Sequence, residues 1–247
     1  MFEGPISLDD GNLRYNITSS FKIESSLRRK INSIWSERVS SFEKKEFCYD
    51  GLSYRLDDYR FTQEKLLLEV SKIRFSVRYS LLKLAEEGTD LDEGAASKGL
   101  GVAAFIETSD GYYIFVEKSD AIKPFNKIGL VGGILDFIEA NPEIDSYYLF
   151  DELCREMKEE ISVGNGSVSK YSFLGLVFSC LGGVLILFDL KIDMSKEDVL
   201  KNFFENEQAE IECLHFVDKS GLEVFLNGKS DILIVSYDLW KRVQDLS

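Results

Sequence analysis

The sequence predicts an α/β (α+β) protein in two parts, an N-terminal α+β part over residues 1–96 and a strand-rich part over residues 97–247. Three observations predict it. Helical spacing and strand alternation interleave along the chain. The segment 86–100 is rich in Gly, Ser and acids without periodicity, and reads as a linker. Beyond it, apolar strand-like runs bracket one strongly amphipathic helix. A chain of 247 residues holds one elaborated domain or two small ones sharing an interface.

Each element follows from its pattern. Leu27, Ile31, Ile34, Trp35 and Val39 recur every three to four residues and predict a helix over 25–42. Strands are expected over 52–56 and 65–70, with helical spacing again over 73–85. Segments 101–107 and 112–117, separated by Ser109-Asp110-Gly111, predict a β-hairpin, and 128–134 is a short, glycine-punctuated apolar run. Residues 146–163 form the strongest helical pattern. A second hairpin is expected from 171–180 and 184–192 across Gly182-Gly183. A strand over 209–217 and a short closing helix over 236–243 complete the chain.

Composition narrows the functional classes. With 45% hydrophobic, 13% aromatic and 29% charged residues, the chain carries enough apolar surface for a core. The longest apolar stretch, 173–190, is interrupted by Ser179, Cys180, Gly182, Gly183 and Asp189, and the N-terminus has neither a basic start nor an apolar run. A soluble, cytoplasmic protein is expected. The net charge is −14, with 13 Lys/Arg against 26 Asp/Glu in residues 101–247. Such a field repels nucleic acid and anionic membranes, so neither is expected as a partner, and a phosphate substrate would need a divalent cation to mediate its contact. A homodimer is compatible with the sequence. Four widely spaced cysteines and a single histidine, His215, leave little material for a zinc site or a disulfide framework, so metal chemistry is expected to use oxygen ligands.

The helix over 149–161 concentrates those oxygens. At about 100° per residue, Glu152, Glu156, Glu159 and Glu160 fall on one face, while Phe150, Leu153, Cys154, Met157 and Ile161 form an apolar stripe. Like charges at i,i+3 and i,i+4 cost roughly 0.2–0.5 kcal/mol each, and Arg155 and Lys158 relieve part of that. A hard divalent cation would turn the cluster favourable. A plain solvated acidic face is the competing reading.

The residue order, Arg155-Glu156-Met157-Lys158-Glu159-Glu160-Ile161-Ser162-Val163 after Gly132-Gly133, resembles the Nudix box R-E-U-x-E-E-x-G-U, U being aliphatic. The resemblance covers about residues 98–247 and implies an α/β/α sandwich with a mixed sheet. It departs from the box in several places. Tyr147 stands where the box has a glutamate, and Glu139 or Glu143 are candidate replacements. Gly133 lies 22 residues before Arg155, an insertion of about eight relative to the box. Ser162 replaces a glycine where a left-handed backbone is expected, and Val131 replaces a proline. In the N-terminal part, Ile31-Asn32-Ser33-Ile34-Trp35, the run 49–56 and Arg78-Tyr79 are similar to the branch of Nudix enzymes that hydrolyse UDP-glucose and UDP-galactose.

What the resemblance implies is a pyrophosphohydrolase that splits a UDP-sugar into UMP and sugar 1-phosphate. Glu156, Glu159, Glu160 and the Gly133 carbonyl would hold Mg²⁺ or Mn²⁺, and Arg155 would orient a helix carboxylate. The general base would be a helix glutamate or a loop acid, Glu207, Glu210 or Glu212, with Glu210 slightly favoured, and Phe125 is a candidate substrate-lining residue. ADP-ribose or another nucleoside diphosphate derivative is the alternative substrate. A catalytically silent nucleotide-binding module is the alternative class.

Overall fold

The structure, a computed structural model, describes residues 2–3, 13–17, 21–42, 49–61, 65–92, 95–122, 126–137, 146–206 and 210–246. Phe125, Glu139, Glu143 and Glu207 lie outside the described residues.

The N-terminal part contains β1 (Phe2–Glu3), β2 (Leu13–Ile17), α1 (Ser25–Ser41), β3 (Leu52–Phe61), β4 (Leu66–Arg74) and α2 (Phe75–Glu86). Strands β2, β4 and β3 make a three-stranded sheet, parallel between β2 and β4 and antiparallel between β4 and β3. Both predicted strands run several residues further: in β3 half-buried and exposed side chains alternate beyond Leu56, and in β4 Ser71 and Ile73 are buried beyond Val70. Helices α1 and α2 pack through Trp35, Phe75 and Tyr79, whose ring centroids lie 6.0–6.4 Å apart.

Then follow β5 (Leu100–Glu107), β6 (Tyr112–Lys118), β7 (Ile128–Gly129), β8 (Val131–Ile134), α3 (Ser146–Ile161), β9 (Val168–Phe178), β10 (Val184–Ile192), α4 (Lys196–Glu205), β11 (Ile211–Asp218), α5 (Leu222–Leu226) and α6 (Asp231–Leu246). The main sheet runs β1-β9-β10-β5-β6-β11, with β8 on β5 and β7 on β6. It is mixed: β10 and β5 are parallel, and the other pairs are antiparallel. Alternate residues of its strands feed two cores. Val102, Ala104, Ile114 and Val116 face α3 and α4, while Phe105 and Phe115 face α5 and α6. The result is an α/β/α sandwich, as expected.

The hairpin expected from 101–107 and 112–117 is splayed. Strands β5 and β6 pair only at Glu107↔Tyr113, and the apolar run 128–134 lies between them, on β6 through Ile128–Gly129 and on β5 through Val131–Ile134. Gly132 permits this with φ +150°, where a Cβ would collide with the Val102 carbonyl. Helices α4 and α5 are additions to the expected pattern, and α6 starts five residues before the expected 236.

The N-terminal sheet is stitched to the main one. The β3 backbone bonds to both flanks of β5 and β8, as in Tyr54 N–H to the Leu135 carbonyl at 3.0 Å and Leu56 N–H to that of Lys98 at 2.8 Å. Tyr54, Leu56, Leu66, Leu68 and Val70 join the same hydrophobic cluster as Leu149, Leu153 and Met157 of α3. Residues 96–99 are held against β3, where the Arg55 guanidinium donates to the Ala96 carbonyl at 3.2–3.3 Å.

Candidate active site

Helix α3 has the two faces its sequence predicts. Leu149, Leu153, Met157 and Ile161, four residues apart, are fully buried, and Phe150 stacks on Tyr171 at 4.2 Å. The carboxylate face is not a solvated one: Glu160 is 4% and Glu152 8% exposed, and Glu156 is half-buried. Of the four acids only Glu159 is exposed.

Arg155 gathers three of them. Its guanidinium lies 3.0 Å from Glu152 and 2.6 Å from both Glu156 and Glu159. Glu160 points the other way, toward the strands. One of its oxygens accepts the Gly132 N–H at 2.9 Å, and the other lies 3.2 Å from the Lys118 ammonium at the end of β6. A side chain at Gly133 would overlap the Glu156 carboxylate, so the glycine brings backbone directly against that acid.

Burial raises the Glu156 carboxyl to about 7, with Glu160 and Glu159 adding to the shift against the pull of Arg155. Burial also raises Glu160, opposed by Lys118 and the Gly132 N–H. Lys118 stays above its ordinary value despite its burial, because Glu160, Glu210 and Glu156 surround it. These acids are desolvated without full compensation, the condition in which a cation gains most from binding.

The carboxylates open onto a cleft of about 560 Å³. Gly132, Gly133, Lys118 and Glu210 line it from the sheet side, and α1 and α2 supply Arg38, Phe75, Arg78 and Tyr79 from the other. Glu210 precedes β11 instead of lying within it, because the ladder begins at Ile211. Glu212 turns away to Lys127, at 3.3 Å.

Three cleft residues carry no sequence motif of their own. Lys118 ends a strand. Arg78 is buried on α2, where burial lowers its guanidinium to about 10 against the opposing charge of Asp136. Asp136 is brought in by its bridge to Ser53 of β3, a pairing between distant segments that no local spacing announces. Arg78 was visible only as part of the dispersed pair Arg78-Tyr79.

No family model and no curated protein matches the chain. Among solved structures, the chain is similar to the MutT protein from Methanosarcina mazei, with 18% identity over 60% of this chain and 94% of that one and a TM-score of 0.40. A Nudix hydrolase from Nitrosomonas europaea shows 15% identity over 58% and 88%, at a TM-score of 0.40. The Nudix domain of NrtR from Shewanella oneidensis, crystallised with ADP-ribose, shows 18% identity over 64% and 97%, at 0.39. At these TM-scores the likeness carries no argument about the site, whose chemistry rests on its own side chains.

Proposed function

We propose that this chain is a metal-dependent pyrophosphohydrolase cleaving the diphosphate bond of a nucleoside diphosphate linked to another moiety, with a UDP-sugar as substrate and UMP and sugar 1-phosphate as products. One observation carries the reading: half-buried Glu156 and buried Glu160 lie against the side-chain-free Gly132-Gly133 segment, at a cleft whose far wall is cationic and aromatic.

The donor set fits a hard divalent cation. The four α3 carboxylates outnumber the two cations that face them, Arg155 and Lys118, and a divalent ion such as Mg²⁺ or Mn²⁺ complements that excess of oxygen donors. Glu156, Glu159, Glu160 and the Gly133 carbonyl would hold the ion. When bound, it supplies Lewis-acid charge to the diphosphate oxygens and to the attacking water.

The chain's own groups do the rest. Arg155 fixes the rotamers of Glu152, Glu156 and Glu159, so the acids are set before substrate arrives. Glu210 takes the proton of the attacking water as its oxygen bonds to one phosphorus. The bond from that phosphorus to the bridging oxygen breaks, and this oxygen leaves with the other phosphate. Residues 1–96 recognise the substrate: Arg78 meets its anionic groups, and Phe75 offers its ring to the base, beside Tyr79, whose ring carries the Arg38 guanidinium at 4.0 Å.

The test is incubation of the full chain with Mg²⁺ or Mn²⁺ and a panel of UDP-glucose, UDP-galactose, ADP-ribose and nucleoside triphosphates, with products read by mass. UMP and sugar 1-phosphate from the UDP-sugars support the proposal. Turnover of ADP-ribose alone removes the UDP-sugar assignment. Ligand-induced thermal stabilisation without any turnover indicates a silent binding module.

A further inference from the structure

On the face of the sheet opposite α3, Glu117 of β6 meets Cys213 and His215 of β11. The Glu117 carboxylate lies 2.8 Å from His215 Nε2 and 3.3 Å from Cys213 Sγ, and Sγ lies 3.7 Å from Nε2. A bulge makes this possible. Ile211 pairs with Lys118 and Cys213 with Glu117, so Glu212 is the extra residue and the phase of β11 shifts by one. Without that shift Cys213 would share the face of Ile211, toward α3. With it, Cys213 and His215 both stand on the side of Phe115 and Phe225.

We propose that Glu117, Cys213 and His215 form a second metal site, for a borderline-soft divalent ion of the zinc type, separate from the carboxylates of α3. One N, one S and one O donor form a set that zinc accepts and Mg²⁺ does not, so the two sites sort their ions by ligand chemistry. With Zn–N and Zn–O near 2.0–2.1 Å and Zn–S near 2.3 Å, a tetrahedral ion needs donor separations of about 3.3–3.6 Å. The two sulfur separations already fit within about 0.2 Å, and only the Glu117–His215 pair, now hydrogen-bonded, has to open by roughly 0.5 Å. Glu117 and His215 side chains are 23% and 31% exposed, so water reaches the fourth position. Lys127 lies 3.4 Å from the other Glu117 oxygen, but its ammonium is shared with Asp120 and Glu212. Because the ligands come from two strands, the ion would clamp the edge strand β11 onto β6. No local spacing announces this set, because the third ligand stands 96 residues before Cys213.

The test titrates Co²⁺ into the full chain held in excess Mg²⁺, following thiolate-to-cobalt charge-transfer absorption and tetrahedral d–d bands. Both are expected to saturate at one equivalent and to vanish on adding Zn²⁺. Cys213→Ser should abolish the charge-transfer band, and His215→Gln should weaken Co²⁺ binding by about tenfold or more. Cys180→Ser should leave the band intact. Glu160→Gln should also leave it intact, which keeps this site's outcome separate from that of the α3 site. No thiolate band, or a band that survives Cys213→Ser with undiminished affinity in His215→Gln, overturns the proposal.

Discussion

Ser162 holds a left-handed backbone, φ +58°, directly after the helix that bears the carboxylates. A non-glycine residue there costs about 1–2 kcal/mol, while glycine loses about 0.5–1 kcal/mol more chain entropy on folding. Ser162→Gly should therefore stabilise by roughly 0.5–1 kcal/mol, about 2 °C in Tm by calorimetry. An unchanged or lowered Tm would show that the backbone is not strained. The left-handed backbone at Ser162 was legible from the box resemblance together with its place at the helix end. Asp189 was not: its carboxylate accepts from Trp240 Nε1 at 3.0 Å and Gln244 Nε2 at 3.1 Å, contacts that depend on how α6 lies on β10. Burial raises Asp189 above the ordinary carboxylate value in spite of those donors. A carboxyl raised on folding binds its proton more tightly in the folded state, so its contribution to stability declines as pH climbs from about 4 through the raised value. Asp189→Asn should flatten that part of the Tm–pH profile. A profile as steep as wild type would assign the dependence to other groups.

At the scale of elements, the segment 128–134 decides whether a site exists. It wedges between β5 and β6 and lays Gly132 and Gly133 against Glu160 and Glu156. Gly133→Ala would push a methyl into the Glu156 carboxylate and should reduce turnover by at least about tenfold, with far-UV circular dichroism unchanged. Full activity in this variant would mean that Glu156 need not sit against the loop. The helix α3 was readable because its stripe of Leu149, Leu153, Met157 and Ile161 obeys one period. The splay of β5 from β6 was not, since a turn signal at Asp110-Gly111 announces a hairpin but not how far it stays paired. Helix α4 carries its own local signal: Ser195 and Asp198 form a capping box, and Val199 and Phe203 behind it are buried.

For the molecule as a whole, the cleft joins what the sequence separates. The carboxylates come from α3, and the opposing Arg78 and Tyr79 from α2, so position along the chain could suggest a recognition role for the N-terminal part but not which side chains meet. Charge-assisted contacts are worth about 1.5–3 kcal/mol. Arg78→Ala should therefore raise KM by about tenfold or more while changing kcat far less. An equal fall in kcat with constant KM would remove Arg78 from ground-state binding. Because Tyr54, Leu56, Leu66, Leu68 and Val70 complete the core under α3, a fragment of residues 97–247 should lack a cooperative thermal transition. A sharp transition in that fragment would show that the two parts fold separately. Among the described residues, no helix is long and apolar enough to cross a membrane.

In the proposed function, the carboxylates of α3 carry a metal-dependent hydrolysis. The most direct measurement is the rate of UMP release from a UDP-sugar as a function of Mg²⁺ concentration, in wild type and in Glu160→Gln. Saturable activation by Mg²⁺, abolished by chelator and lowered by about a hundredfold or more in Glu160→Gln, is the predicted result. Release that proceeds without a divalent ion, or at an undiminished rate in Glu160→Gln, would contradict it.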